Sequence, residues 1–537
     1  MKHVKMLDCT LRDGAYLIDK KFGDANIIGI TNGLVDAGID FVEIGFFQDE
    51  GFGEGKTVFR NSADAKRFIP KDKKNTEFTV LADYSRYSIQ NLDECDHSSI
   101  DAVRECFFKK EREDALKVCR VIKEKGYKVF VQPVDILGYS DIELIQFIME
   151  VNEIEPYCLS IVDTFGSMYQ EDLHRVFEII DHNLVSSCRI GFHSHNNMQL
   201  SNALTQEFVR LSTGRRDVVV DGTLNGMGRG AGNTPTELIV QYLNTCQHYM
   251  YDMDTLLDVI DNYMNNIRSR CTWGYSTELF VAGCYGAHVN NISYLMKKNS
   301  IRSKDIRFIL NEIGSIPRKR YDYDLLENTY RNLVLSDIDD EAEIAALKET
   351  FENRDVLIVC PGATAATELD KIRAYIAEKT PVVICVNYVD QNIEPDHVFM
   401  SNVRRYDYWK NVEGFEKYSR ILLSGIKHSS DDPKEHIISL RRLIKLSWKY
   451  VDNALIMLLR FLDNYEPASI AIAGLDGYAS EKNYASPELE LRSVCENPVL
   501  INEEISEMIR DFMSMRAHRT KTFTLTTSRF AGDFSGH

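Results

Sequence analysis

The sequence predicts an α/β protein: a (β/α)8 TIM barrel, then a helical segment, then a second Rossmann-like α/β domain. Three observations carry this. Eight short apolar runs alternate with helix-like stretches through the first half of the 537-residue chain. Polar residues recur where these runs end, which is where a parallel barrel assembles its sites. At residue 355 a strand, turn, helix and strand pattern starts afresh. A chain of this length exceeds one ordinary core, so two domains are expected.

The runs, in order, are "HVKMLD", "FVEIGF", "FTVLAD", "IDAVREC", "KVFVQPVD", "CLSIVDT", "RIGFHSH" and "DVVVDGT". They are rich in Val, Ile and Phe and are separated by amphipathic stretches such as "EDALKVCRVIKEKG", the pattern of a parallel sheet covered by helices. A doubly wound open sheet would share that pattern. The barrel is favoured by the polar residues at the strand ends: Asp13, Glu43, Asp83, Arg104 and Glu105, Gln132 and Asp135, Asp163 and Thr164, then His193 and His195. The eighth run leads into a glycine-rich loop, "DGTLNGMGRGAGN". Residues 1–240 are assigned to the barrel, 241–350 to a helical extension and linker, and 351–537 to the Rossmann-like domain.

The net charge of −18 argues against nucleic acid or an anionic membrane as the main partner, since both need basic footprints. No apolar run is long enough to span a bilayer, and the start has no leader pattern. Twelve cysteines without a CxxC pair read as reduced thiols in a cytoplasmic protein, with Cys9 nearest the expected site.

In "GFHSHNN", His193 and His195 are one residue apart in a strand, so their imidazoles face the same side. Neutral imidazole suits a divalent first-row ion. Alone, the pair is a weak signal. Asp13 in "TLRDG", brought near by barrel closure, and Asn233 in "GMGRGAGNTPTE" would complete a mixed nitrogen and oxygen set. Such a set leaves coordination positions open for a substrate, unlike a closed structural zinc site.

"LDCTLRDG", "DTFGSM", "GFHSHNN" and "GMGRGAGNTPTE" resemble, in order and spacing, the DRE-TIM metallolyase family over roughly residues 1–300. That family includes 4-hydroxy-2-oxovalerate aldolases, hydroxymethylglutaryl-CoA lyase and the isopropylmalate and homocitrate synthases. The 4-hydroxy-2-oxovalerate aldolase branch is most similar. The resemblance implies Asp13, His193, His195 and Asn233 as ligands of a divalent metal, Mn2+ or Mg2+. It implies Arg12 as the group that holds the enolate oxygen of a pyruvate-like intermediate. Thr164 matches a hydroxyl that helps bind the substrate carboxylate, or else caps a strand end. Glu43 matches a carboxylate beside the site, or else a structural group of the barrel.

Two features depart from the family. The position three after Asp13 holds Tyr16 where those aldolases carry an acid/base histidine. A phenol near its ordinary pKa of about 10 is a poor base at neutral pH. Either Tyr16 acts in a tuned form or another group does, with Tyr285 and His288 of "GCYGAHVNN" as candidates and helix packing as their other reading. Second, a full α/β domain follows the barrel, in place of the short helical domain that contacts a dehydrogenase. In that domain "VLIVCPGAT" lacks a nucleotide fingerprint. Its strand-end stretches resemble the nucleotide-binding folds attached to bacterial surface-glycan enzymes, sialyltransferase-like domains included, and no residue roles are carried over.

The expected activity is divalent-metal-dependent aldol chemistry on a 4-hydroxy-2-keto acid, with a keto acid and an aldehyde as small-molecule partners, in surface-glycan or sugar-acid metabolism. A nucleotide or nucleotide-sugar is expected at the second domain, and a homo-oligomer is compatible. One alternative is a Claisen-type acyl-CoA synthase. Another is a working nucleotide-binding or glycosyl-transfer module behind a scaffold barrel.

Overall fold

The computed structural model of the chain describes residues 3–298, 301–334, 338–445, 448, 453–479, 483–484 and 497–534. Strands β1 (Val4–Asp8), β2 (Phe41–Phe47), β3 (Glu77–Asp83), β4 (Ala102–Phe108), β5 (Lys128–Val134), β6 (Cys158–Asp163), β7 (Arg189–Ser194) and β8 (Val218–Gly222) are parallel neighbours in that order. β1 pairs with both β2 and β8, which closes the barrel. All eight apolar runs are barrel strands.

The alternation of side chains along each strand sorts the barrel interior into layers. At the amino-terminal end, Leu7, Phe41, Ala102, Phe130, Cys158 and Val219 form one buried apolar cluster. Two residues further along the same strands, the interior positions become Glu43, Arg104, Gln132, Ser160 and Asp221, all buried. The barrel is thus plugged below and polar towards its mouth. Outside it, amphipathic helices cover the strands. Helix α1 (Arg112–Glu124) buries Ala115, Leu116, Cys119 and Ile122, the stripe that a 3.6-residue period places on one face.

Glu105 departs from the expectation that the polar strand residues all face the mouth. It alternates with the inward Arg104, so it points out of the barrel, and it influences the thiol of Cys119 on α1. It is buried, and its Oε1 has no partner among the described residues. Burial, helped by the charge of Asp83, pushes its carboxyl well above the usual range.

The helical stretch 241–350 is not a separate body. Residues 1–294 and 303–322 form the first compact unit, while 295–302 and 323–537 form the second. Among the described residues no helix is long and apolar enough to cross a membrane.

The second unit is an open, seven-stranded parallel sheet. Its strands are β9 (Asp355–Val359), β10 (Val382–Val386), β11 (His397–Met400), β12 (Ser419–Leu423), β13 (Glu435–Ile438), β14 (Ser469–Ala473) and β15 (Lys521–Thr524). The order is β13-β12-β11-β10-β9-β14-β15. Alternate residues of β9 face opposite layers: Val356 and Ile358 belong to one apolar core, Leu357 and Val359 to another. That two-sided burial explains the unbroken apolar strands. The polar tail, expected to be partly irregular, contributes the edge strand β15, and its last three residues, 535–537, lie outside the described residues.

Glu105 yields a sign-definite pH effect. The folded chain keeps its proton at a pH where the unfolded chain has released it. Its contribution to stability is therefore present below the ordinary glutamate pKa of 4.5 and is lost as pH rises towards the raised folded value. Glu105→Gln should raise the melting temperature more at about pH 8 than at about pH 4. Equal shifts at both would show that this carboxyl does not titrate on unfolding.

Candidate active site

The residues of the site are delivered by the ends of β1, β7 and β8. Asp13 ends a single helical turn, Thr10–Asp13, that follows β1. His193 lies in β7 and His195 one step beyond it. Asn233 forms an antiparallel bridge with His195, so the glycine-rich loop after β8 is laid onto the extension of β7. That loop can turn so tightly because residue 232 is glycine: it has φ of +86°, and a Cβ there would stand 2.0 Å from the Gly226 carbonyl oxygen.

Asp13 Oδ2 lies 3.2 Å from His193 Nε2 and 3.7 Å from His195 Nε2, and it accepts from Asn233 Nδ2 at 2.9 Å. The imidazole rings stand nearly perpendicular, with centroids 5.2 Å apart. Two buried oxygens, Asp13 Oδ1 and Asn233 Oδ1, have no partner among the described residues. Unpartnered buried acceptors are costly. Asp13, His193 and His195 each bring one ligand atom to within 4.8 Å of the others, a carboxylate and two imidazoles that fit a divalent cation. Cys9, His193 and Asp221 also converge. The Cys9 thiol, however, donates to the Gly222 carbonyl, and burial pushes its pKa well up, so it is a poor ligand.

Behind the ligands runs a closed ring of charged groups. Arg12 Nε donates to Glu43 Oε2 at 2.7 Å, and its NH1 lies 3.3 Å from Asp13 Oδ2. Glu43 Oε2 also accepts from Arg104 NH1 at 3.1 Å. Arg104 NH2 donates to Asp221 Oδ2, which accepts from His193 Nδ1 at 2.9 Å. His193 then returns to Asp13. Because the Asp221 carboxylate can only accept, His193 donates to it from Nδ1, and this turns Nε2 towards Asp13. Burial opposes ionisation of Asp13, but Arg12, His195 and His193 hold its carboxyl well below the usual range. Burial lowers the His195 pKa to about 4, which keeps that imidazole neutral. For His193, burial is outweighed by its bonds to Asp13 and Asp221, and the pKa rises.

Of the other expected site residues, Arg12 and Tyr16 are brought to the cluster. Tyr16 packs edge-on against Phe46, under the guanidinium of Arg229 at 4.6 Å. Burial pushes its phenol up to about 12. His288 also reaches the mouth: Nε2 lies 3.0 Å from Arg229 NH2, and Nδ1 accepts from the Asn290 N–H at 3.1 Å. Burial, with Arg229 and His195, lowers its pKa to about 3. Thr164 accepts the Asp135 N–H at 2.9 Å, the strand-end capping role. Tyr285 stands apart from the ligands. Its hydroxyl accepts from Arg307 Nε at 2.8 Å, and its ring lies 5.1 Å from the Arg318 guanidinium.

Sequence reasoning missed Asp221 and Arg229 and gave Arg104 no role. A signal existed for two of them. A charged residue inside an apolar barrel strand, as in "VVVDG" and "AVREC", must find a buried counter-charge.

A family model described as HMGL-like matches residues 3–262. An oxaloacetate decarboxylase of Mycobacterium tuberculosis is 26% identical over 269 residues, covering 47% of this chain and 74% of that protein. A 4-hydroxy-2-oxovalerate aldolase of Carboxydothermus hydrogenoformans is 25% identical over 326 residues, covering 59% and 93%. Among solved structures, the N-terminal domain of a Bacteroides vulgatus protein is 20% identical with a TM-score of 0.49, covering 55% of this chain and 96% of that one.

The ring predicts that Asp221 governs metal affinity without touching the ion. Asp221→Asn should weaken Mn2+ binding by about 10–100-fold, read by titration calorimetry, while the fold persists. Unchanged affinity would remove Asp221 from the site.

Proposed function

We propose that this chain, a member of the HMGL-like family through residues 3–262 and so a metal-dependent carbon–carbon lyase, acts on a 4-hydroxy-2-keto acid through a pyruvate-type enolate. The observation that carries this reading is the pair of partnerless buried oxygens, Asp13 Oδ1 and Asn233 Oδ1, beside the buried guanidinium of Arg12. The 4-hydroxy-2-oxovalerate aldolase and oxaloacetate decarboxylase names of the relatives favour a 2-keto acid as substrate. Mn2+ or Mg2+ is the ion we assign to this mixed oxygen and nitrogen set, and such an ion would supply Lewis-acid charge to the keto acid.

The protein's own groups then divide the work. Arg12, fixed through Nε to Glu43, offers a preset positive charge to the enolate oxygen. Tyr16 rests protonated across the neutral range, so it is the donor in condensation, and the same phenol, once ionised, is the acceptor of the hydroxyl proton in cleavage. In the condensation direction it gives that proton to the alkoxide formed from the aldehyde. Arg229, over its ring, offsets the phenolate left behind. His288 is flanked by two donors, Arg229 and the Asn290 N–H, so its one lone pair is occupied.

The division separates two measurable steps. Exchange of pyruvate methyl protons with solvent reports enolisation, and aldol addition reports the proton delivered to the aldehyde. Arg12→Lys should slow exchange by about 10²–10³-fold. Tyr16→Phe should leave exchange nearly intact and slow addition. The reading fails if a protein with a filled metal site exchanges no pyruvate protons. Loss of both steps on Tyr16→Phe would reassign the phenol to enolisation.

A further inference from the structure

Within the second unit, the carboxyl ends of β9, β10, β11 and β14 surround a cavity of about 560 Å3, and we propose that it binds a nucleotide. The position follows from the strand order. The chain steps from β9 outwards to β13, then returns to place β14 on the other side of β9. At that reversal the loops leave the sheet in opposite directions, and open parallel sheets bind ligands in the crevice that results.

The floor of the cavity is backbone. Gly474 has φ of +68°, and a Cβ on it would stand 2.1 Å from the Cys360 carbonyl oxygen. A Cβ on Gly362 would stand 2.3 Å from the Gly474 carbonyl oxygen. The turns after β9 and β14 therefore lie one on the other, with the Asp476 carboxylate 2.8 Å from where a Gly362 Cβ would stand.

The charge of the lining points to an anion. Among the described residues it carries Lys297, Arg404 and Arg405, with Lys298 already paired to Glu327 at 2.6 Å, against one lining carboxylate, Asp476. That carboxylate is already engaged, accepting from the Thr364 N–H at 2.9 Å and from the Thr364 hydroxyl. In a chain of net charge −18, this local excess of positive charge is a reversal of sign. The two arginines sit on a braced turn. Asn387, at φ of +59°, accepts from the Ser401 and Asn402 N–H groups, and Asn402 in turn accepts from the Arg404 and Arg405 N–H groups.

The volume and the aromatic wall point to a base. The cavity falls inside the range of about 300–1,000 Å3 typical of small-molecule sites, far more than one phosphate fills. The Tyr478 and Tyr484 rings lie 6.3 Å apart, with the Arg405 guanidinium 5.5 Å from Tyr484. A planar base can stack on this wall while its phosphate reaches the cations.

The proposal stands independently of the barrel chemistry, and its test separates the two. Full-length protein is titrated calorimetrically with CMP, UMP, AMP, GMP, a sugar monophosphate and inorganic phosphate. At least one nucleotide should bind more tightly than the sugar monophosphate or phosphate, and hydrogen exchange at residues 401–405 should slow when it does. The double variant Arg404→Ala, Arg405→Ala should lose about tenfold or more in nucleotide affinity, keeping its melting temperature and its pyruvate exchange. Three results would each overturn the proposal: no nucleotide binds; phosphate or the sugar phosphate binds as tightly; the double variant binds like the parent.

Discussion

Everything at the barrel mouth depends on the closed ring Arg12–Glu43–Arg104–Asp221–His193–Asp13. Five strand ends contribute to it, and every member is buried. Charges taken out of water are tolerable only when each finds a counter-charge and hydrogen bonds. In a ring no member lacks one, and removing any member leaves two neighbours exposed to that cost. The apolar cluster beneath it supplies the other condition, a dry floor. The strands therefore read apolar and then charged at successive inward positions. The same constraint sets the tautomer of His193 and the orientation of Arg12, so the structural and the chemical requirements are met by one set of bonds.

The barrel was legible because its signal is long-range and redundant: eight similar runs, spaced alike, with polar ends. The convergence of Asp13 with His193 and His195 was legible because the "TLRDG" stretch and an HxH pair leave marks in local sequence. The rest was not. Asp221 looks like one more residue of a strand until its inward parity is known. Glu105 was placed on the wrong side for the same reason, since a single run does not reveal which of two adjacent charges faces in. Arg229 lies in a loop whose path is set by the bridge between His195 and Asn233, a tertiary event. The division of 241–350 between two units was equally hidden, because an amphipathic helix shows that it will pack but not against what.

The two sheets illustrate how topology decides where chemistry can sit. A closed sheet has an interior, and its alternate residues can be spent on a buried ionic network. An open sheet buries both faces against helices, so a central strand such as β10 is apolar throughout and its end remains for polar work. The ionic ring inside the barrel and the polar, positively charged crevice at the edge of the second sheet are thus the same residue types deployed under different geometric limits.

Asp13 and Asn233 are 220 positions apart in the chain, one from the first β/α unit and one from the last. An ion gripped by both would act as a clasp on the whole barrel, joining the two ends of the cycle across the β8–β1 seam. Closing so long a loop in the unfolded chain carries a large entropic cost, so the grip exists only once the barrel has closed. Ion occupancy then reports completed folding, and a barrel left open at that seam would have no means to begin the reaction.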